Sequence, residues 1–243
     1  MKVRILSVLL LGFFTMGAGY QNDNAPLSPR MEEWVTKLAH GFTKTIKKES
    51  PNIWYDCGVQ TPEKDWYSRS KEIATETMKA MRRHKLRVDP CGVIATAYNE
   101  SRGNRCSIGP RTRNNAKKLG LYPEDKKWRE LNQEDILKIL KNEKWINRKY
   151  MADVGIYQDV YPNYARIIDN GGALKCIRGH NMPCRIPLPE ELLTVAGSAE
   201  VGIHGMLSRF YFFKTKEPWF YWPWTVRANY SKAIAKTMKD ICG

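Results

Sequence analysis

Apolar residues recur along this chain mostly at helical spacing. Trp34, Leu38, Phe42 and Ile46 follow one another four residues apart, which predicts a helix over Met31–Lys48 closed by Ser50-Pro51. Tyr20–Arg30 before it reads as a polar lead-in. Thr61-Pro62 and Asp89-Pro90 each pair a capping residue with proline at the first helical position. They predict one helix from there to about Leu86 and another from Cys91 to about Ser101, stopped by Arg102-Gly103-Asn104. Residues 104–130 read as basic and irregular. Asn132-Gln133-Glu134-Asp135 then caps a helix carrying Ile136, Ile139, Leu140 and Ile146, and its acidic first turn suits the helix dipole. Asp153–Tyr164 is short and mixed, a turn or a partly buried segment. Residues 171–189 form a loop rich in Gly, Pro and Cys, and Pro189 opens a long apolar-faced helix to about Phe213. Gly197, Gly202 and Gly205 lower its helix propensity, which close packing against another element would offset. Trp219–Trp224 is densely aromatic, and a last helix over Val226–Ile241 aligns Tyr230, Ile234, Met238 and Ile241. The fold class is mainly α.

The N-terminus is a separate matter. Lys2 and Arg4 precede an apolar run from Ile5 to Phe14, and Gly17-Ala18-Gly19 offers small residues for cleavage. This is the pattern of a signal peptide over residues 1–19, too short to span a bilayer as a stable helix. An uncleaved anchor is the alternative. The expected location is periplasmic or secreted. Residues 20–60 then form an N-terminal helical extension, and 61–243 the main domain. An exported chain of about 220 residues is long enough to bury a core of its own.

Export changes how the six cysteines read. Cys57, Cys91, Cys106, Cys176, Cys184 and Cys242 are even in number, which suggests disulfides among fifteen pairings. A bridge between Cys91 and Cys106 is disfavoured, because they bracket a helix about 16 Å long. Cys176 and Cys184 suit a local disulfide, or with His180 a metal site for which no fourth ligand is evident; a disulfide is preferred, with no metal or cofactor expected. The formal charge of +15 attracts polyanions. For an exported protein these are the anionic cell-envelope surface rather than nucleic acid. Oligomeric state is not legible.

Candidate chemistry centres on Ala97-Tyr98-Asn99-Glu100-Ser101-Arg102-Gly103-Asn104. A carboxyl at the C-terminal end of an apolar helix meets the negative end of the dipole. Partial burial there would further favour its protonated form, as a general acid for glycosidic cleavage requires. A second segment, Asp153-Val154-Gly155-Ile156-Tyr157-Gln158, joins an acid, a glycine and an amide.

Together, Glu100-Ser101 and Gly155-Ile156-Tyr157-Gln158 resemble the paired motifs of the lysozyme-like superfamily. The likeness is to the lytic transglycosylases, with a Glu-Ser and then a Gly-Leu-Met-Gln type motif. Asp153–Gln158 is also similar to the Asp-Tyr-Gly-Ile-Leu-Gln of animal-type lysozymes, and Ala196–Gly202 to the following helix. The resemblance covers roughly residues 75–240 and implies a lysozyme-like fold. The longer stretch from Glu100 to Gly155 implies a helical insertion. The resemblance further implies cleavage of peptidoglycan glycan strands between N-acetylmuramic acid and N-acetylglucosamine. Glu100 would act as acid and then base, giving a 1,6-anhydro end. Hydrolysis with Asp153 as second carboxylate is the alternative, as is a non-catalytic wall-binding protein; Asp153 could equally cap the following turn. Ser101 would orient Glu100 or only bond the helix end. Gly155, Ile156, Tyr157 and Gln158 would form the substrate-binding turn, with Tyr157 and Gln158 lining the cleft. The family's Ala-Tyr-Asn-Ala-Gly motif, whose tyrosine contacts the acid, is not clearly present; Tyr221 or Tyr230 would replace that tyrosine. At least one ring of Trp219, Phe220, Tyr221, Trp222 and Trp224 would stack on sugar. His204 reads as structural, and His40 and His84 carry no signal.

Overall fold

The computed structural model describes residues 25–51, 53–146, 152–160, 188–213, 216–217 and 228–243. The signal-peptide segment, Cys176, His180, Cys184, Tyr221 and the aromatic run 219–224 lie outside them. The described chain is mainly helical, with two short hairpins.

Helix α1 (Pro29–Glu49) starts at Ser28, whose hydroxyl accepts from the Met31 amide, with Pro29 in the first turn. The lead-in therefore ends earlier than its polarity suggested. Val35, Leu38, Phe42 and Ile46 are buried on one face. Strands β1 (Trp54–Asp56) and β2 (Val59–Thr61) form an antiparallel hairpin. Cys57 and Gly58 both turn it at positive φ. Thr61-Pro62 thus closes a strand instead of opening a helix, and after a 3-10 turn α2 runs Trp66–Arg83.

Helix α3 (Pro90–Ser101) begins as its sequence predicts, the Asp89 carboxylate accepting from the Cys91 amide at 2.9 Å. Nearly every residue of α3 is buried, the condition of a central helix that is apolar all round. It ends on Arg102 in the left-handed conformation, followed by Gly103 at φ 75°. The stretch expected to be irregular contains α4 (Pro110–Lys118), opened by Gly109-Pro110. Asn132 and Asp135 form a reciprocal capping box for α5 (Gln133–Leu140), and α6 is Glu143–Ile146. Strands β3 (Asp153–Val154) and β4 (Asp159–Val160) flank the turn 155–158.

The long helix expected from Pro189 is two: α7 (Pro189–Leu192) and α8 (Val195–Phe213). Thr194 makes the break. Its Oγ1 accepts from the Gly197 amide at 2.9 Å, capping α8 afresh. A Cβ on Gly197 would fall 1.9 Å from the Glu191 carbonyl oxygen, so only glycine fits this corner. Helix α9 runs Ala228–Cys242.

Two apolar clusters organise these elements. The larger joins Phe42, Trp54, Trp66, Ile73, Ile94, Tyr157, Ile203 and Ile234. Helix α1 contributes Val35, Leu38, Phe42 and Ile46 to it. The smaller cluster holds Ile108, Ala116, Leu131, Ile136, Trp145, Val154 and Val201. Disulfides join Cys57 to Cys106 and Cys91 to Cys242, with Cα atoms 4.7 and 6.2 Å apart. Both bridges suit an oxidising, extracytoplasmic compartment. Among the described residues no helix is long and apolar enough to cross a membrane.

Candidate active site

Residues at the junction of the two clusters enclose a cleft of about 470 Å³. Its walls come from the C-terminal ends of α1 and α3, from β1, from the segment 104–113 and from Trp128-Arg129. Glu100 is the penultimate residue of α3 and opens into this cleft, half-buried. The Tyr230 hydroxyl on α9 donates to Glu100 Oε1. Next to it, Asn99 Nδ2 donates to the Ala95 carbonyl and to Thr237 Oγ1, at 2.8 and 2.9 Å. The end of α3 is thereby held by two side chains of α9.

The chain beyond Glu100 is fixed by polar contacts. Trp54 Nε1 donates to the Arg102 carbonyl at 2.7 Å, and an Arg69 amino group to the Gly103 carbonyl at 2.8 Å. Asn104 Oδ1 accepts from the amides of Cys57 and Cys106. Asp56 is paired with Arg69 and Arg105. Burial lowers the Arg69 pKa from its ordinary value, more than the attraction of Asp56 raises it.

Ser101 does not face the cleft with a free hydroxyl. It is buried, donates towards the carbonyls of Ile156 (2.7 Å) and Ala97 (3.1 Å), and accepts from the Gly103 amide. Its role is to tie the end of α3 to the 155–158 turn. Gly155, at φ 84°, lies against α8: a Cβ there would meet Ser198 Oγ at 2.5 Å. That hydroxyl accepts from the Ile156 amide at 2.6 Å, and the Ile156 side chain is fully buried. Tyr157 is buried too, its ring against Gly202 and its hydroxyl 2.8 Å from Thr77 Oγ1. Burial raises its pKa far above the phenol range. It supports the turn from beneath and, contrary to its expected role, does not line the cleft. Gln158 does line it, oriented by donation from Nε2 to Ser107 Oγ at 2.6 Å.

Asp153 is not among the residues that line the cleft. Its amide donates to Thr112 Oγ1 and its carbonyl accepts from the Gly109 amide. A Cβ on Gly109 would come within 2.9 Å of Asp153 Oδ2, so the carboxyl is packed against the start of α4. The second carboxylate of the cleft is Glu49, the last residue of α1. It accepts from the Tyr98 hydroxyl at 2.9 Å and pairs with Arg102 at 2.6 Å. Burial is the main reason that Tyr98 titrates above its ordinary range.

Several lining residues carried no signal in the sequence. Trp54, Tyr55 and Trp128 supply rings, and Arg113 and Arg129 supply positive charge. Neither arginine forms an ion pair among the described residues. Only the density of Arg and Lys in 104–130 hinted at them. Among the described residues no group of three or more His, Cys, Asp or Glu is placed to hold a metal ion. His84, read as silent, is buried and pairs with Glu200, beside Arg83 and 5.6 Å from the His204 ring. This ties α2 to α8, away from the residues lining the cleft.

The arrangement presents two carboxyls, each with a tyrosine donor on it, amide and hydroxyl groups for a polar ligand, rings for its flat faces, and cations for its acidic substituents. No family model matches the chain, and no curated protein or solved structure matches it either.

Proposed function

We propose that this chain is an exported peptidoglycan-cleaving enzyme with a lysozyme-like fold, acting as a lytic transglycosylase through Glu100. The observation that carries the reading is the placement of Glu100. It sits at the end of a buried helix, inside a cleft, bonded to Tyr230 and joined through Ser101 to the turn that ends at Gln158. The two motifs named from sequence are thus in physical contact through a hydrogen bond.

The chemistry needs one carboxyl used twice. Glu100 protonates the oxygen between N-acetylmuramic acid and N-acetylglucosamine, and that C–O bond breaks as positive charge develops at the muramoyl C1. The muramoyl 6-hydroxyl oxygen then bonds to C1 and yields its proton to the Glu100 carboxylate. The ring closes as a 1,6-anhydro end, no water is consumed, and the acid is regenerated. The Tyr230 donor holds the carboxyl in place and stabilises the anion between the two transfers. Arg113 and Arg129 suit the carboxylates carried by this substrate, and Trp128 suits a sugar face.

Hydrolysis through Asp153 is less well supported, since that side chain lies outside the cleft lining. The test is digestion of purified peptidoglycan by the wild type and by Glu100→Gln, with mass spectrometry of the products. Anhydro-muramic ends that vanish in the variant are expected. Reducing ends would replace the transglycosylase with a hydrolase, and wall binding without any cleavage would replace the enzyme with a binding protein.

A further inference from the structure

A second concavity, of about 460 Å³, shares no residue with the Glu100 cleft. It lies where the first turns of α1 meet the end of α2 and the connection into α3. Its floor is apolar: Met31, Trp34, Met78, Met81, Leu86 and Val88. Its rim is cationic: Arg30, Arg82, Lys85 and Arg87. Lys85 takes a positive φ of 51°, which turns the chain so that Lys85 and Arg87 are exposed while Leu86 between them is buried. The nearby Asp89 carboxylate is engaged by the Cys91 amide. Arg82 is committed differently. It donates to the carbonyls of Ala25 and Pro26, both at 2.9 Å. The rim arginine therefore ties the end of α2 to the stretch ahead of α1.

We infer that this face docks on an anionic lipid bilayer. The charge and the shape suit the two-part chemistry of such a surface. Arg30, Lys85 and Arg87 meet the phosphates. Trp34, Met31 and Val88, half-buried in the groove, meet the glycerol and upper acyl region, where tryptophan is favoured. The face is independent of the chemistry assigned to Glu100.

The test is co-sedimentation of the protein, as cells export it, with two kinds of vesicle. One is phosphatidylcholine alone; the other contains phosphatidylglycerol. Binding is expected only to the second, and it weakens as salt rises. The double variant Lys85→Glu/Arg87→Glu changes two exposed residues, and its fold is checked by circular dichroism. It should bind at least about tenfold more weakly. Trp34→Ala should weaken binding while leaving the salt dependence unchanged. Equal binding to both vesicles, or undiminished binding by the double variant, would overturn the inference. So would a concentration-dependent dimer in light scattering that the same substitutions abolish, since a second copy would then be the occupant.

Discussion

The Tyr230 hydroxyl and the Glu100 carboxyl are hydrogen-bonded across 130 residues of chain. Helix α9 therefore takes part in the site while lying far from both motifs in sequence. Removing the donor in Tyr230→Phe leaves the carboxyl in place but less restrained. On peptidoglycan, kcat should fall by about 10- to 100-fold with KM little changed, against a loss of about a thousandfold or more in Glu100→Gln. Steady-state release of soluble muropeptides measures both. Equal activity of Tyr230→Phe and wild type would remove Tyr230 from the mechanism.

Arg113 and Arg129 should act on binding. Each replaced by Gln should raise KM several-fold with kcat nearly constant, and added salt should weaken the wild type more than the double variant. Salt titration of the initial rate separates this outcome from a purely structural effect.

Gly202 and Tyr157 make a sharp packing test. A Cβ on Gly202 would sit 2.3 Å from the Tyr157 ring, an overlap that no rotamer of alanine relieves. Gly202→Ala should lower stability by about 1–3 kcal/mol or more, read from denaturant unfolding. Tyr157→Phe should cost only about 1 kcal/mol, for the lost bond to Thr77. It should leave cleavage intact, because Tyr157 lies under the site and not in it.

The Glu200 carboxyl titrates below its ordinary value. Burial is the largest single influence and pushes it up, but the hydrogen bonds and charges of His84 and Arg83 together outweigh it. A depressed carboxyl contributes stability that is full above its unfolded pKa, about 4.3, and is lost as pH falls through the folded value. Acid unfolding should therefore begin below about pH 4. Glu200→Gln should flatten that limb and cost about 3 kcal/mol at neutral pH, by stranding buried positive charge. Thermal melts across pH resolve both effects.

The two bridges should differ in their effect on stability. In the chain-entropy account, closing 151 residues between Cys91 and Cys242 is worth about 5 kcal/mol, and closing 49 between Cys57 and Cys106 about 4. Cys91→Ser/Cys242→Ser should lower Tm more than Cys57→Ser/Cys106→Ser, in differential scanning calorimetry.

Much of the helical skeleton was legible because its signals are local. Asp89-Pro90, Asn132 with Asp135, and Arg102-Gly103 act through one or two hydrogen bonds near their own position. The hairpin at Trp54–Thr61 was missed because three-residue strands carry no periodicity, and Thr61-Pro62 mimicked a helix start. The break at Thr194 was hidden by apolar residues that continue on both sides of it. In the site, Glu100 and Gln158 were readable from type and spacing. Glu49, Arg113 and Trp128 were not, since only tertiary packing brings them to one cleft. Tyr157 misled for a related reason: packing sends Ile156 and Tyr157 both to the core and only Gln158 to the cleft, and the sequence does not state which.

Helix α9 gathers several of these ties on one element. It brings Tyr230, Thr237 and Cys242, and its Ile241 backbone packs so close to α1 that a Cβ on Gly41 would fall 1.9 Å from the Ile241 oxygen. A chain without α9 would thus forfeit at one stroke the partner of Glu100, the anchor of Asn99 and the covalent tie to α3. Docking of α9 and oxidation of its Cys242 therefore both contribute to assembling the centre.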